Sequence, residues 1–199
     1  MIPGEILTAE GSITLNAGTG DILITDSDGT GLEFGAAAGG NNLNISDVEL
    51  GLMTASNLTI NTNGDAVVEN ISAANSDNIA VTTALNANGD ITFQNGDSTF
   101  NELLAQGNTG IIATVNITTD TGRLTLDTTE ANSDITIVNL TSTGDMNVDP
   151  IRNLTINGTT LTASSNGDIL IGEDTAGTNG NITANNALDI QSAGNVTIR

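Results

Sequence analysis

The sequence predicts an all-β chain wound as a right-handed parallel β-helix, a β-solenoid, and three observations carry that prediction. A short unit recurs along the chain, its starts are spaced like the turns of a coil, and the residues on which other β architectures lean are scarce. The unit is a small turn residue, a polar residue, then apolar, variable, apolar. It reads Gly20-Asp21-Ile22-Leu23-Ile24, Gly89-Asp90-Ile91-Thr92-Phe93, Gly122-Arg123-Leu124-Thr125-Leu126, Ser133-Asp134-Ile135-Thr136-Ile137, Gly167-Asp168-Ile169-Leu170-Ile171 and Gly194-Asn195-Val196-Thr197-Ile198. A sister unit opens on Asn, as in Asn57-Leu58-Thr59-Ile60 and Asn153-Leu154-Thr155-Ile156.

Apolar residues that alternate with polar ones at period two, over three to five residues, form short strands buried on one face only. Ile, Leu and Val take the inward positions. Thr, Asn and Ser take the outward ones, so β-branched side chains fill a narrow interior. Strand starts recur at about 10 residues and pairs of them at about 19 to 26, the range in which parallel coils close. Residues 1–10 read as a lead-in, and 11–199 as a single solenoid of roughly eight or nine coils, about 40 Å long at about 4.8 Å per coil. The break in spacing from Gly29 to Asn42 contains Gly35-Ala36-Ala37-Ala38-Gly39-Gly40, read as a loop or tight corner.

No helix of ordinary length is expected, because the 3.6-residue apolar stripe is missing and Gly occurs 23 times. The best helical stretch, Phe100-Asn101-Glu102-Leu103-Leu104-Ala105, is too short to matter. An array of antiparallel β-sandwiches is the alternative. It ranks second, since sandwiches bury large aromatics between sheets, and this chain has no Trp, no Tyr, three Phe and two Pro.

Composition narrows function. The chain has no His, no Cys and no Lys, and its cations are Arg123, Arg152 and Arg199. Imidazole bases, thiolate nucleophiles and the usual zinc ligands are therefore excluded. A formal charge of −21 repels phosphate backbones and anionic lipids, so nucleic-acid binding and membrane insertion are not expected. No run approaches the roughly 20 apolar residues of a membrane span, and Met1 reads as a start placed on an excised fragment.

Six Gly-Asp pairs, at Gly20, Gly64, Gly89, Gly96, Gly144 and Gly167, each follow Thr or Asn. They are read as corners in which Gly or the preceding Asn takes positive φ and Asp closes the turn through its own backbone. Stacked corners also align carboxylates, which raises calcium as a cofactor. The local candidate is Asp26-Ser27-Asp28-Gly29, with Asp26 and Asp28 as ligands, although the later bidentate Glu of a calcium loop is missing. Sequons at Asn44, Asn57, Asn70, Asn116, Asn139, Asn153, Asn157, Asn181 and Asn195 follow from Asn starting a strand whose Thr points outward. Outward Thr14, Thr59, Thr92, Thr125, Thr136, Thr155 and Thr197 raise flat-surface recognition such as ice binding, without the strict two-Thr alternation such a surface needs. A polysaccharide-active β-helix enzyme would cluster acids with Arg, and neither Arg123 nor Arg152 sits in such a constellation.

The phrases GSITLNAGTGDILI, GDITF and NGNITANNALDIQSAGNVTI resemble the repeat regions of filamentous-haemagglutinin-type exoproteins, the large bacterial surface adhesins exported by two-partner secretion. The likeness runs from about Gly11 to Arg199 and is one of repeat style. It implies a right-handed parallel β-helix, a place outside the bacterial cell or on its surface, and a role as stalk or adhesive fibre. The Asn-Pro-Asn-Gly motif of the family's secretion domain is absent, and so is Lys. The expectation is a non-catalytic structural or adhesive segment. Its partners would be neighbouring repeats of a longer chain, copies of itself stacked end to end, or host and matrix glycans; a calcium-stabilised adhesin module is the alternative.

Overall fold

A computed structural model of the chain describes residues 15–26, 31–35, 43–172 and 181–199, the Asp26 side chain excepted. Along the first stretch run β1 (Leu15–Asn16), β2 (Asp21–Asp26), β3 (Leu32–Gly35) and β4 (Leu43–Ser46), followed by a single-turn helix α1 (Asp47–Leu50). Next come β5 (Met53–Thr62), β6 (Ala66–Glu69) and a second short helix α2 (Ala73–Ser76). A regular succession of three strands per coil follows. Its first two coils are β7 (Ile79–Ala87), β8 (Asp90–Gln94), β9 (Ser98–Phe100), then β10 (Glu102–Gly107), β11 (Gly110–Ala113), β12 (Ile117–Thr119). The next two are β13 (Leu124–Thr128), β14 (Asp134–Ile137), β15 (Leu140–Ser142), then β16 (Met146–Asp149), β17 (Leu154–Ile156), β18 (Thr160–Ala163). The last comprises β19 (Ile169–Ile171), β20 (Ile182–Ala184) and β21 (Asp189–Ser192), and β22 (Val196–Ile198) opens one more.

Every strand pairing among the described residues is parallel. The chain is a parallel β-solenoid, and the antiparallel sandwich is excluded. Its strands form three walls. Wall one runs β2-β5-β7-β10-β13-β16-β19-β22 with β1 beside β2 on β5; wall two runs β4-β3-β6-β8-β11-β14-β17-β20; wall three runs β9-β12-β15-β18-β21. The register is set by the alternation: Leu58 lies over Thr83, then Leu103, Leu124, Met146, Ile169 and Val196, all facing inward.

The first coils depart from the sequence reading. Two four-residue helices, α1 and α2, stand where later coils place a wall-three strand. The Asp47 carboxylate joins them, accepting from the Ser72 backbone N–H at 2.9 Å, the Ser72 hydroxyl at 2.8 Å and the Asn75 amide at 2.8 Å. The segment leading into α2 meets β9 through Thr99 N–H donating to the Ile71 carbonyl at 2.9 Å. A capping box starts α1: Ser46 Oγ accepts from Glu49 N–H, and Glu49 Oε2 accepts from Ser46 N–H at 2.8 Å. The spacing Ser46-x-x-Glu49 was the available signal. The stretch Phe100 to Ala105, weighed as a helix, instead closes β9 and enters β10, because Leu103 and Ala105 alternate inward with neighbours on both sides. Of the Gly-Ala loop, Gly35 ends β3 at φ +115°, where a Cβ would meet the Glu69 carbonyl oxygen; residues 36–40 lie outside the described set.

The interior is mainly aliphatic. Leu124, Leu126, Ile135, Ile137 and Leu140 of one coil are fully buried, as are all three Phe, and the Phe34 and Phe100 rings sit 6.4 Å apart. Two hydroxyls interrupt it where wall three turns into wall one. Thr119 donates to the Gly122 carbonyl at 2.8 Å, and Ser142 reaches the same oxygen at 2.9 Å, so the turn carbonyl stays bonded inside the core.

Candidate functional site

Three columns of turn residues climb the edges between walls, and they hold most of the polar groups that the sequence offers as site residues. The column entering wall one contains Asp21, Asn57, Thr82, Glu102, Arg123, Asp145, Asp168 and Asn195. Entering wall two are Asp65, Asp90, Gly110, Asp134, Asn153 and Asn181. Entering wall three are Asp97, Asn116, Asn139, Thr160 and Asp189.

In each column an Asp or Asn oxygen accepts the backbone N–H of its counterpart one coil on. Asp65 accepts from Asp90 N–H at 2.9 Å, Asp97 from Asn116 N–H at 2.9 Å, and Asp145 from Asp168 N–H at 3.0 Å. Asp134 accepts from Asn153 N–H at 3.1 Å, Asn139 from Thr160 N–H at 3.0 Å, and Asp168 from Asn195 N–H at 2.6 Å. The Asp of the Gly-Asp unit thus ties coil to coil, where the sequence reading had it closing its own turn. The N–H in question stands at or just before the first residue of a strand, where the side-chain oxygen of the previous coil bonds it.

The Gly of the unit has a corresponding reason. A Cβ at Gly89 would come 1.9 Å from Asp65 Oδ1, and one at Gly194 would come 2.2 Å from Asp168 Oδ1. At these two glycines the carboxylate of the previous coil crosses the space a Cβ would take; at Gly144 and Gly167 the backbone of the previous coil fills it, and at Gly96 the Asn70 side chain does. Positive φ accounts for fewer of these pairs than expected: Gly96 after Asn95, and Asn166 before Gly167, are the ones that adopt it.

Of the sequon residues, Asn57, Asn116, Asn139, Asn153, Asn181 and Asn195 stand in these columns, whereas Asn44 lies inside β4 and Asn70 and Asn157 follow β6 and β17 rather than starting a strand. Asn57 donates to Asp21 at 2.8 Å, Asn116 to Asp97 at 2.9 Å, Asn139 to Asn116 at 2.9 Å and Asn153 to Asp134 at 2.9 Å. Other amides form ladders on the wall-one side, Asn86 donating to Asn61 at 2.8 Å, and Asn88 to Asn63 at 3.0 Å.

The two interior cations serve the columns as well. Arg152 forms a two-pronged contact with Asp134, through Nε at 2.8 Å and through Nη2, and this hydrogen bond holds the Asp134 carboxyl below its ordinary value. Arg123 lies 3.6 Å from Glu102, which also accepts the Thr82 hydroxyl at 3.0 Å. Burial, and then the Asp77 charge, raise the Asp120 carboxyl. Glu69, nearly buried, accepts the Gln94 amide at 2.8 Å and the Asn95 amide at 2.6 Å.

Among the described residues no three His, Cys, Asp or Glu side chains gather as a metal site, and no helix is long and apolar enough to cross a membrane. The calcium candidate lies outside them: Asp28 entirely, and Asp26 except for its backbone at the end of β2. Thr14 also lies outside. The remaining Thr candidates divide between two walls, Thr59, Thr125 and Thr197 on wall one, and Thr92, Thr136 and Thr155 on wall two, where Ile112 interrupts the row. The unbroken row is one the sequence did not single out, Thr99, Thr118, Thr141 and Thr162 on wall three. β9, β12 and β15 each offer one outward residue between two inward ones, and only β18 adds a second outward Thr, Thr160, so the row is otherwise single file.

Compared with known proteins, the chain matches no family model, no curated protein and no solved structure.

Proposed function

We propose that this chain is a non-catalytic structural segment of a long extracellular or bacterial cell-surface fibre, a stalk of the kind that its filamentous-haemagglutinin-like repeats imply. The observation that carries the reading is the employment of the corner groups. Asp65, Asp97, Asp134, Asp145 and Asp168, the carboxylates that a catalytic or calcium reading would draw on, are bonded to the backbone of the next coil. A carboxylate spent on an N–H is poorly placed to take a proton from a substrate, whereas a coil tied at each corner resists being peeled from its neighbour.

A stalk must hold its length. Spin labels on Thr59→Cys and Thr197→Cys, outward on wall one and six coil steps apart, should report one narrow distance of about 29 Å. Duplicating β13 to β15 should lengthen it by about 4.8 Å. A broad distribution, or a specific glycan whose binding is lost on changing one outward cluster, would overturn the stalk in favour of a hinge or an adhesive site.

A further inference from the structure

Five Asn-Gly bonds lie within the described residues, at Asn63, Asn88, Asn95, Asn157 and Asn166; a sixth, Asn179-Gly180, lies outside them. In such a pair the glycine nitrogen, with no side chain beside it, can close on the asparagine Cγ whenever the asparagine amide is free to turn. The fold ties four of the five amides. Asn63 accepts the Asn88 amide at 3.0 Å, and Asn88 in turn accepts the Asn108 amide at 3.3 Å. Asn95 donates to Glu69 at 2.6 Å, and Asn157 accepts the Asn185 amide at 2.7 Å. Asn166, exposed in the turn between β18 and β19, is the one of the five described whose side chain makes no hydrogen bond. We propose that Asn166 is a deamidation site, converted to aspartate or isoaspartate through a succinimide formed with Gly167.

The backbone favours the same place. Ser165 and Asn166 stand at φ +54° and +68°, values that residues other than glycine hold at a cost, so this turn gives up little when it rearranges. The contact that has to break is Gly167 N–H to the Ser164 carbonyl, 3.0 Å long. Asn95 shares the positive φ, at +59°, and differs in its bond to Glu69, so the amide tie separates the two sites. In the reaction Gly167 N gives its proton to solvent hydroxide and bonds to Asn166 Cγ, and the Cγ–Nδ2 bond breaks with loss of ammonia. Water then opens the ring, at Cγ to leave aspartate or at the main-chain carbonyl to leave isoaspartate. One water enters, one ammonia leaves, and nothing is oxidised. Isoaspartate routes the main chain through Cβ and Cγ and so lengthens a corner that binds coils on both sides. There the Gly167 carbonyl accepts Ser192 Oγ at 2.8 Å and Gly194 N–H at 3.1 Å, while Asp168 N–H donates to Asp145 at 3.0 Å.

Ageing the intact chain at mildly alkaline pH tests this, with isoaspartate read by L-isoaspartyl methyltransferase labelling and placed by fragmentation mass spectrometry. Asn166 should convert about three- to tenfold faster than Asn63, Asn88, Asn95 or Asn157, the factor that one side-chain hydrogen bond supplies. The aged chain should also melt lower than the fresh one. Asn166→Gly, which suits a positive φ and has no amide to cyclise, should remove the label at that corner and keep its Tm through ageing. Asn185→Ala unties Asn157 and should raise its rate toward that of Asn166. Equal rates at the tied asparagines, or no isoaspartate at Asn166, would overturn the proposal. An Asn157 rate unchanged by Asn185→Ala would overturn it too, because the amide tie would then not be what protects the other four.

Discussion

A coil in the middle of the solenoid and the coil at its C-terminal end have the same sequence pattern and very different burial. Leu124, Leu126 and Ile135 are fully buried, whereas Val196, Ile198 and Ile182, which hold equivalent places in the register, are between 38% and 57% exposed. An inward side chain is covered less by its own coil than by the coils above and below it. Stability in this architecture accordingly grows with the number of neighbours a coil has, and one substitution should cost different amounts in the two places.

The largest expected effect breaks that contrast directly. Leu126→Ala should lower stability by about 2 to 5 kcal/mol, because the cavity lies between two intact coils. Ile198→Ala should cost less than about 1 kcal/mol, since much of that side chain already meets water. Denaturant melts of the two variants measure the difference, and equal losses would mean that burial does not come from stacking.

Next comes the corner. Gly89→Ala places a methyl against the Asp65 carboxylate and should cost about 1 to 3 kcal/mol, with loss of the 2.9 Å bond to Asp90 N–H. Asp65→Ala in the same chain should recover part of the loss, a coupling that a thermal double-mutant cycle reads.

Titration sharpens the comparison further. The folded pKa of Asp134 is lowered by Arg152, so its contribution is fully present above the ordinary carboxylate range and disappears as pH falls through the lowered value. Asp134→Asn should flatten the acid side of the Tm-against-pH curve. Asp120 is raised, so its ionised form is the penalised one and protonation favours the fold; Asp120→Asn should raise Tm slightly at neutral pH and leave it unchanged in acid. The smallest expected effect is that of a chelator. EDTA should leave Tm where it is, and a fall reversed by calcium would return attention to Asp26 and Asp28.

Much of the wall structure was legible beforehand, because period-two alternation at strands such as Ile135-Thr136-Ile137 reports which residues face inward whatever lies around them. The two helices that stand in place of wall three in the first coils were harder to read. Four-residue helices leave no periodicity, and α1 announces itself only through the Ser46 and Glu49 capping pair. The corner chemistry was half legible. Gly-Asp marked the turns, but a carboxylate that bonds to the next N–H of its own turn and one that bonds to a residue some 19 to 27 positions away leave the same dipeptide in the sequence.

What the sequence determined alone is the kind of object: short strands, one apolar side, turns of small polar residues, and no imidazole or thiol chemistry. Those follow from side-chain type and local spacing, which every residue carries with it. Which strand lies on which, what each carboxylate holds, and why a glycine must be bare where a neighbouring coil's oxygen crosses it were decided only by the stacked structure. These are contacts between residues a full coil apart, and their geometry exists only once the coil has closed.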